Sequence, residues 1–325
     1  MASQRIVMLI PGGIGDQILI FPTLADLRGH YPQAEIDVVV EPRSQAAYEV
    51  NAVVNQVLTF PFRAKKTWRD WWGLIQQIRS RQYDIIVSLG ESFAVRVLLW
   101  LTGVPKRVGY ANQKTWGLLT HPAPLNKNQY AAAMYHDLLK GLGIDREYPP
   151  LVATVKQKDQ AWGESERLRL QVQSPYILIH GGSSKMARLK GINKIYPIQA
   201  WLEVLHTLNA KYPGISVLIV QGPDDQEWGE QLTAAIPELK RTQPPSFGKL
   251  AALIETATGM ICTDSGPMHL GVALNTPLVA LFGPTDPQKL LPPQPHFRPV
   301  KSPTGQIGDI SPAMILAEVV EVLHG

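Results

Sequence analysis

The amino-acid sequence predicts an α/β fold with two domains, each built on a doubly wound parallel sheet. Short apolar runs that end in turn residues recur along the chain, and segments with helix start signals separate them. The runs are continuously apolar rather than alternating, which is typical of parallel strands covered on both faces. At 325 residues, the chain is long enough for two cores of ordinary size.

The first domain is predicted to contain five strands with helices between them. The strands are 6–10, 36–40, 57–60, 83–89 and 107–110; one helix ends near Arg28, others begin near Pro42, Thr67 and Ser92, and one covers about 129–142. Residues from about Tyr148 to Ser174 contain two prolines followed by charged, weakly apolar sequence. We place the domain crossover there and assign residues 1–160 to the first domain.

The second domain repeats this alternation of strands and helices. Its predicted strands are 176–180, 216–220, 260–263 and 278–282, and its helices include 247–256 and a last helix that Ser311 caps and that runs to about Leu323. We assign residues 161–310 to this domain and treat 311–325 as a separate helical segment.

Composition narrows the class of protein. The 31 basic and 27 acidic residues give a net charge of +4, too small an excess to indicate nucleic-acid binding. Cys262 is the only cysteine, which excludes an internal disulfide framework, and its apolar strand predicts a buried structural thiol. The apolar run before Gly12 is too short for a secretory signal, and no window approaches the roughly 18 apolar residues of a membrane span. We therefore expect a cytoplasmic protein, or one peripheral on the cytoplasmic face.

The segment around Ser265-Gly266-Pro267 is the most informative in the chain. It follows the strand 260–263 and reads as a helix start, with a capping side chain and a proline in the first turn. Free N–H groups and the helix dipole favour an anion at such a position, beyond the carboxyl end of a strand. The physical alternative is an ordinary strand–helix–strand unit with good caps.

The same segment resembles a family signature. Its residues are Asp264-Ser265-Gly266, His269-Leu270, Ala273-Leu274, Pro277 and Leu281-Phe282-Gly283-Pro284-Thr285-Asp286-Pro287. This series resembles the signature of the lipopolysaccharide heptosyltransferases, the inverting enzymes of glycosyltransferase family 9. The resemblance implies the GT-B fold, in which two Rossmann-like domains face across a cleft. It also implies that the N-terminal domain holds the acceptor, that the C-terminal domain holds the nucleotide sugar, and that 311–325 packs back on the N-terminal domain.

The first strand runs into a glycine-rich turn that contains Gly12, Gly13, Gly15 and Asp16. A dinucleotide fingerprint fails here, because Ile18 stands where the third glycine is needed, so a hydride-transferring enzyme is disfavoured. The turn and its helix resemble the N-terminal motif of the heptosyltransferases, which implies that Asp16 is the catalytic base on the acceptor side. The alternative is an acid that only complements the helix dipole.

In the second domain, the resemblance implies a donor site. The motif at Lys194-Ile195-Tyr196-Pro197 resembles a family motif with tyrosine in place of tryptophan, which implies that Lys194, with Ser183 and Ser184 before it, contacts the donor diphosphate. An acid after the strand 216–220, either Asp225 or Glu227, would meet the nucleoside. The expected donor-binding residues are Ser183, Ser184, Lys194, Asp225, Asp264, Ser265, Gly266 and His269. For His269, a packing role is the alternative.

These assignments predict the transfer of a sugar, in the first instance heptose from ADP-heptose, onto a lipopolysaccharide core or another surface glycan. No Asp-any-Asp triplet and no Cys/His cluster with metal-ligand spacing occurs in the sequence, so we expect turnover without a metal or a cofactor. Two other classes stay open on the same fold: a nucleotide-sugar epimerase or isomerase, and a non-catalytic nucleotide-sugar binder.

The segment 67–75 is rich in tryptophan. Trp68, Trp71 or Trp72, and Ile75 recur at helical spacing, which favours a stripe packed against the sheet. The alternative is an exposed amphipathic surface that contacts a membrane or a lipid acceptor, with Lys65, Lys66 and Arg69 beside it.

Overall fold

The computed structural model describes residues 4–111, 117–182 and 194–324. The chain divides into two compact units, Met1–Leu151 and Val152–Gly325. Each unit contains a six-stranded sheet in which every neighbouring pair of strands is parallel. The predicted α/β class with two doubly wound sheets is confirmed.

The first unit has the strand order β3-β2-β1-β4-β5-β6. Its strands are β1 (Arg5–Ile10), β2 (Glu35–Val40), β3 (Gln56–Thr59), β4 (Ile85–Ser88), β5 (Lys106–Tyr110) and β6 (His121–Ala123). Its helices are α1 (Ile14–Leu19), α2 (Phe21–His30), α3 (Trp68–Ser80), α4 (Phe93–Leu101) and α5 (Ala131–His136), with 3-10 segments at Pro42–Val50 and Asp137–Leu142. The sequence analysis missed β6, because His-Pro-Ala has no apolar run.

Local sequence explains the two helices after β3 and β4. The Thr67 side chain accepts a hydrogen bond from the Asp70 backbone, and the Ser92 side chain accepts one from the Val95 backbone, so each helix begins at a capped residue. Beneath them, Leu74, Ile75 and Ile78 of α3 pack with residues of β1, β2, β4 and α4 in one core. These contacts fix both helices on one face of the sheet.

The second unit has the strand order β12-β11-β10-β7-β8-β9. Its strands are β7 (Tyr176–His180), β8 (Ser216–Val220), β9 (Lys240–Thr242), β10 (Gly259–Thr263), β11 (Leu278–Phe282) and β12 (Phe297–Lys301). Its helices are α6 (Gln157–Arg169), α7 (Ile198–Lys211), α8 (Gln226–Ala235), α9 (Phe247–Glu255), α10 (Gly266–Ala273), α11 (Pro287–Leu290) and α12 (Pro312–His324), with a 3-10 segment at Ile307–Asp309. Cys262 is buried in β10 as predicted, and burial raises the pKa of its thiol.

The boundary between the units falls between Leu151 and Val152, nine residues before the predicted end of the first domain. The difference arises from α6, which we had read as charged sequence between domains. This helix packs against α9, and Gln160 Nε2 donates a hydrogen bond to Glu255 Oε2 at 3.0 Å. Its tertiary contacts therefore assign the segment to the second unit.

The last helix also belongs to the second unit. The helix α12 lies against α7, β11 and β12. Ile315 and Val319 are fully buried in the same core as Trp201 of α7. These contacts bury the apolar face of the helix within the second unit, and the packing of 311–325 on the N-terminal domain stays a prediction.

The tryptophan-rich helix α3 divides between core and surface. Ile75 is buried and Trp71 packs on Phe60, as the predicted stripe requires. Trp68 is exposed, so for this residue the prediction of packing is wrong, and Trp72, the alternative to Trp71 in the stripe, is exposed as well. Within the described ranges, no helix combines the length and the apolar character needed to cross a bilayer.

Candidate functional site

Each sheet has one point at which the chain reverses its direction of travel across the strands. In the first unit this point lies between β1 and β4, and in the second between β7 and β10. Ligands of open α/β sheets bind beyond the carboxyl ends of the strands at this reversal. The predicted residues that are described follow β1, β7, β8 and β10, so the topology places them at these edges.

Asp16 lies in the first turn of α1, directly after β1. Its Oδ2 accepts a hydrogen bond from the Gly13 backbone N–H at 2.7 Å, and its Oδ1 accepts one from the Tyr135 hydroxyl at 2.8 Å. Both carboxylate oxygens are therefore oriented, and the side chain remains partly exposed. A fixed, partly exposed carboxylate at the strand edge can take a proton from a bound hydroxyl group.

The glycines of this turn have different roles. A Cβ on Gly12 would lie 2.3 Å from both Cβ and Oδ2 of Asp16, so only glycine leaves room for the carboxylate. A Cβ on Gly13 would meet nothing closer than 3.9 Å. Gly15 lies inside the first turn of α1.

If Asp16 is the base, we expect Gly12→Ala to displace it and to lower the turnover rate by at least tenfold, because small displacements of a catalytic group are costly. The neighbouring Gly13→Ala is the matched control, and we expect it to stay within a factor of a few of the wild type. Steady-state rates of both variants check this, measured at a temperature at which thermal unfolding curves show both variants to be folded. Equal losses in the two variants would contradict a specific role for Gly12.

Tyr135, which sequence reasoning missed, is the partner that orients Asp16. Burial, followed by the charge of Asp16, raises the pKa of its hydroxyl, so Tyr135 remains a hydrogen-bond donor at neutral pH. The next residue anchors the helix: His136 Nε2 lies 2.7 Å from Asp26 Oδ2, and Arg146 forms two hydrogen bonds to the same carboxylate. Burial alone would raise the pKa of Asp26, but the hydrogen bonds of Arg146 and His136 hold it below its ordinary value.

We expect Tyr135→Phe to reduce turnover while leaving the fold intact, because the ring stays and only the hydroxyl is lost. Loss of one of its two hydrogen bonds leaves the Asp16 carboxylate less firmly oriented. An unchanged rate would remove Tyr135 from the site. Tyr48→Phe, which removes a hydrogen bond to Gln17 in the same turn, is the control.

At the second reversal point, two side chains converge on one carboxylate oxygen of a third. Lys194 Nζ lies 2.5 Å from Asp264 Oδ2, and the Thr285 hydroxyl donates to the same oxygen at 2.7 Å. Asp264 is buried at the end of β10, whereas Lys194 is partly exposed. Asp264 therefore fixes the position of a lysine ammonium group that remains accessible to an anionic ligand.

Helix α10 opens beside this cluster. Ser265 is its N-cap residue, but its hydroxyl donates to the Thr263 carbonyl oxygen at 3.0 Å and forms no capping bond, so the predicted side-chain cap is wrong. Gly266 is the first residue of the helix and Pro267 the second, so the close approach of a ligand to the first turn is not hindered by a side chain at Gly266. With Lys194, this helix end provides positive potential for an anion.

The acid after β8 can now be placed. Asp225 is buried, accepts a hydrogen bond from the Gly222 backbone at 3.1 Å and lies 3.5 Å from His180 Nε2. A Cβ on Gly182 would lie 2.0 Å from its carboxyl carbon, so the carboxylate is packed directly against the end of β7. Glu227 is exposed on α8, next to Gln231. Asp225 is therefore the acid at the reversal point.

Of the three remaining predicted residues, the structure describes one. His269 is buried in the first half of α10, one turn after Ser265. Ser183 and Ser184 lie outside the described residues. Among those described, no group of three or more His, Cys, Asp or Glu side chains is arranged to hold a metal ion.

Two site residues were visible in the sequence but were given no role. Thr285 stood in the signature segment and His180 at a strand end, yet nothing local indicated their contacts with Asp264 and Asp225. Tyr135 gave no signal at all, because its partner is 119 positions away in the chain.

Comparison with known proteins identifies the family. Residues 71–309 match glycosyltransferase family 9 (heptosyltransferase). Lipopolysaccharide heptosyltransferase 3 of Escherichia coli is 26% identical over 295 residues, which cover 84% of this chain and 81% of that protein.

Solved structures agree in fold. The structure of E. coli ADP-heptose lipopolysaccharide heptosyltransferase II gives a TM-score of 0.79 at 22% identity and covers 98% of both chains. An E. coli heptosyltransferase solved with ADP-2-deoxy-2-fluoro heptose gives a TM-score of 0.75 at 17% identity, covering 98% of this chain and 99% of that one. The family match spans more than half of the chain and includes the whole cluster around Lys194 and Asp264. This chain therefore belongs to glycosyltransferase family 9, the heptosyltransferases, and is a glycosyltransferase.

Proposed function

We propose that this protein transfers heptose from ADP-heptose to a lipopolysaccharide-core acceptor, with inversion at the anomeric carbon. The single observation that carries the proposal is the ammonium group of Lys194, which Asp264 and Thr285 hold beside the open end of α10. This arrangement suits a diphosphate leaving group. The names of the relatives supply the sugar and the nucleotide.

In the proposed reaction, an acceptor hydroxyl oxygen forms a bond to the anomeric carbon as the bond from that carbon to the diphosphate oxygen breaks. Asp16 takes the hydroxyl proton, and its hydrogen bonds to Gly13 and Tyr135 keep one geometry throughout. General-base assistance of this kind is worth roughly 10²–10⁴-fold. Attack from the face opposite the leaving group inverts the configuration.

The nucleotide diphosphate carries the charge that develops as the bond breaks. Lys194 and the first N–H groups of α10 stabilise this charge in the positions that they occupy before the substrate binds. A carboxylate beside a diphosphate would repel it, but Asp264 is paired with Lys194 and accepts a hydrogen bond from Thr285, which reduces that repulsion. Asp225 is the acid proposed to meet the nucleoside.

An epimerase or isomerase, or a non-catalytic nucleotide-sugar binder, is not favoured, because the chain belongs to a transferase family. An acceptor on a lipid would bring the protein to the cytoplasmic membrane surface, so peripheral contact with that surface is part of the proposal.

Thermal unfolding with ADP, UDP, GDP, CMP and NADH tests the donor. A ligand at 100 times its dissociation constant stabilises the folded state by about 2.7 kcal/mol, which gives a visible rise in melting temperature. We expect ADP to give the largest rise. A rise with UDP or GDP alone would keep the transferase and reject ADP-heptose.

Transfer of heptose from ADP-heptose to a heptose-deficient lipopolysaccharide core then tests the reaction. We expect equal rates with EDTA and with added magnesium. Loss of turnover in EDTA that magnesium restores would contradict the metal-independent mechanism. Consumption of donor without any acceptor would favour an epimerase or a hydrolase.

A further inference from the structure

Helices α3 and α4 expose large aromatic side chains to solvent. The exposed fractions are 72% for Trp68, 46% for Trp72, 62% for Phe93 and 53% for Trp100. Trp68 and Trp72 are four residues apart, and Phe93 and Trp100 seven apart, so each pair lies on one side of its helix. We call the surface formed by these four residues the aromatic face.

The two helices are neighbours on one side of the first sheet. Both contribute to the core on the same side of the first sheet, where Leu74 and Ile78 of α3 pack with Leu98 and Leu99 of α4. On the outside, the Arg79 side chain donates a hydrogen bond to the Leu101 carbonyl oxygen at 2.6 Å, so it bridges the ends of the helices. The aromatic face is therefore held rigidly by a packed core beneath it.

Positive charge is concentrated beside the aromatic face. Between residues 63 and 81 there are six basic residues and one acidic residue, Arg63, Lys65, Lys66, Arg69, Arg79 and Arg81 against Asp70. This segment has a net charge of +5, whereas the whole chain has +4, so the remainder is slightly negative. Asp70 caps α3 through hydrogen bonds with Thr67, and Arg81 lies 3.3 Å from Asp37 Oδ2, so most of the excess positive charge has no acidic partner within the segment and favours an anionic partner.

The cations lie next to the rings. The guanidinium carbon of Arg69 lies 5.7 Å from the centre of the Trp68 ring, and that of Arg79 lies 5.7 Å from the Trp72 ring. A tryptophan ring beside a cation is suited to the headgroup layer of a bilayer, where the ring enters the apolar boundary and the cation meets lipid phosphates.

The face also has a defined position relative to Asp16. Right-handed crossovers between parallel strands run each helix antiparallel to the strands. The first residues of α3 and α4, Trp68 and Phe93, therefore lie towards the carboxyl edge of the sheet, where β1 leads into Asp16. A surface bound there would lie beside the edge that holds the proposed base.

We propose that the aromatic face docks the protein on an anionic lipid bilayer. Docking through this face gives a location to the membrane contact that is part of the proposed function. The proposal rests on that membrane contact and not on the identity of the sugar donor. A symmetric dimer through the same face is disfavoured, because a two-fold interface would bring two segments of net charge +5 together. An uncharged apolar partner would leave the surrounding cations without a role.

Flotation of the full chain with vesicles tests the proposal. One set of vesicles is phosphatidylcholine alone, and the other contains 30 mol% phosphatidylglycerol. We expect binding to the anionic vesicles and at least tenfold weaker binding to the neutral ones. Trp68→Ser with Phe93→Ser should weaken binding at least tenfold, and the control is Leu168→Ser with Val152→Ser, which removes equally exposed apolar groups (72% and 65%) from the second unit.

A second pair of variants separates charge from apolar contact. Lys65→Gln with Arg69→Gln should weaken binding about 25-fold, since each cation near an anionic surface contributes about fivefold. The control, Lys158→Gln with Lys211→Gln, removes the same charge from the second unit and should bind normally.

Absence of vesicle binding by the wild type, or equal losses in test and control variants, would overturn the proposal. A concentration-dependent dimer that Trp68→Ser abolishes would assign the face to a second copy and would also overturn it. Transfer from ADP-heptose is measured separately with a detergent-dispersed acceptor, so failure of the aromatic face and failure of the proposed reaction are distinguishable.

Discussion

Replacing Asp16 with asparagine should lower transfer by about 10²- to 10⁴-fold, the range that a general base supplies. Asparagine has almost the same shape and can still accept a hydrogen bond from Gly13 or from Tyr135, but its amide cannot take a proton. The affinity for the nucleotide should be unchanged, because Lys194 and the end of α10 are untouched. The measurement is the turnover rate beside the dissociation constant for ADP.

The chain offers a matched control for this variant. Asp70 occupies the same position in α3 as Asp16 in α1, and its Oδ2 accepts a hydrogen bond from the Thr67 backbone at 2.7 Å. Asp70→Asn therefore makes the same change at an equivalent helix position without touching the site. Full activity in Asp70→Asn beside the loss in Asp16→Asn would identify proton transfer as the cause. Equal loss of transfer and of ADP affinity in Asp16→Asn would give Asp16 a structural role instead.

Replacing Lys194 with glutamine should reduce turnover by about 10²- to 10³-fold, the usual cost of removing one group that stabilises transition-state charge. ADP affinity should fall as well, because the ammonium group contacts the diphosphate in the proposed complex. The variant also leaves the buried carboxylate of Asp264 without its cation, so a lower melting temperature is expected.

The double variant Lys194→Gln with Asp264→Asn separates these effects. It removes both charges, so stability should return towards the wild-type value while turnover stays low. Lys249→Gln, which removes a partly buried lysine that lies over the Trp162 ring, is the control and should retain activity. Recovery of turnover in the double variant would show that Lys194 only balances Asp264, and would contradict its role with the diphosphate.

The edges at which the candidate site lies could be predicted from the sequence, but the contacts could not. Lys194 and Asp264 were both expected to meet the donor, and their mutual ion pair was not foreseen. Seventy positions separate them in the chain, and only the parallel pairing of β7 with β10 brings the two loops together. Tyr135 is a stronger example, since the folding of α5 against α1 and α2 alone places its hydroxyl on Asp16.

Patterns in the amino-acid sequence were enough to predict the parallel α/β class, the starts of α3 and α4, and the strand ends that carry Asp16 and Asp264. These features depend on short-range physics: continuous apolar runs for strands covered on both faces, and capping side chains for helices. Which tryptophans are buried, where the boundary between the units falls and where α12 packs depend on the folding of the whole chain. The periodicity of the sequence shows which residues form the apolar face of a helix. How much of that face is buried depends on the strands and helices that the whole fold packs against it. In α3, the neighbouring elements bury Leu74, Ile75 and Ile78 and leave Trp68 and Trp72 exposed to solvent.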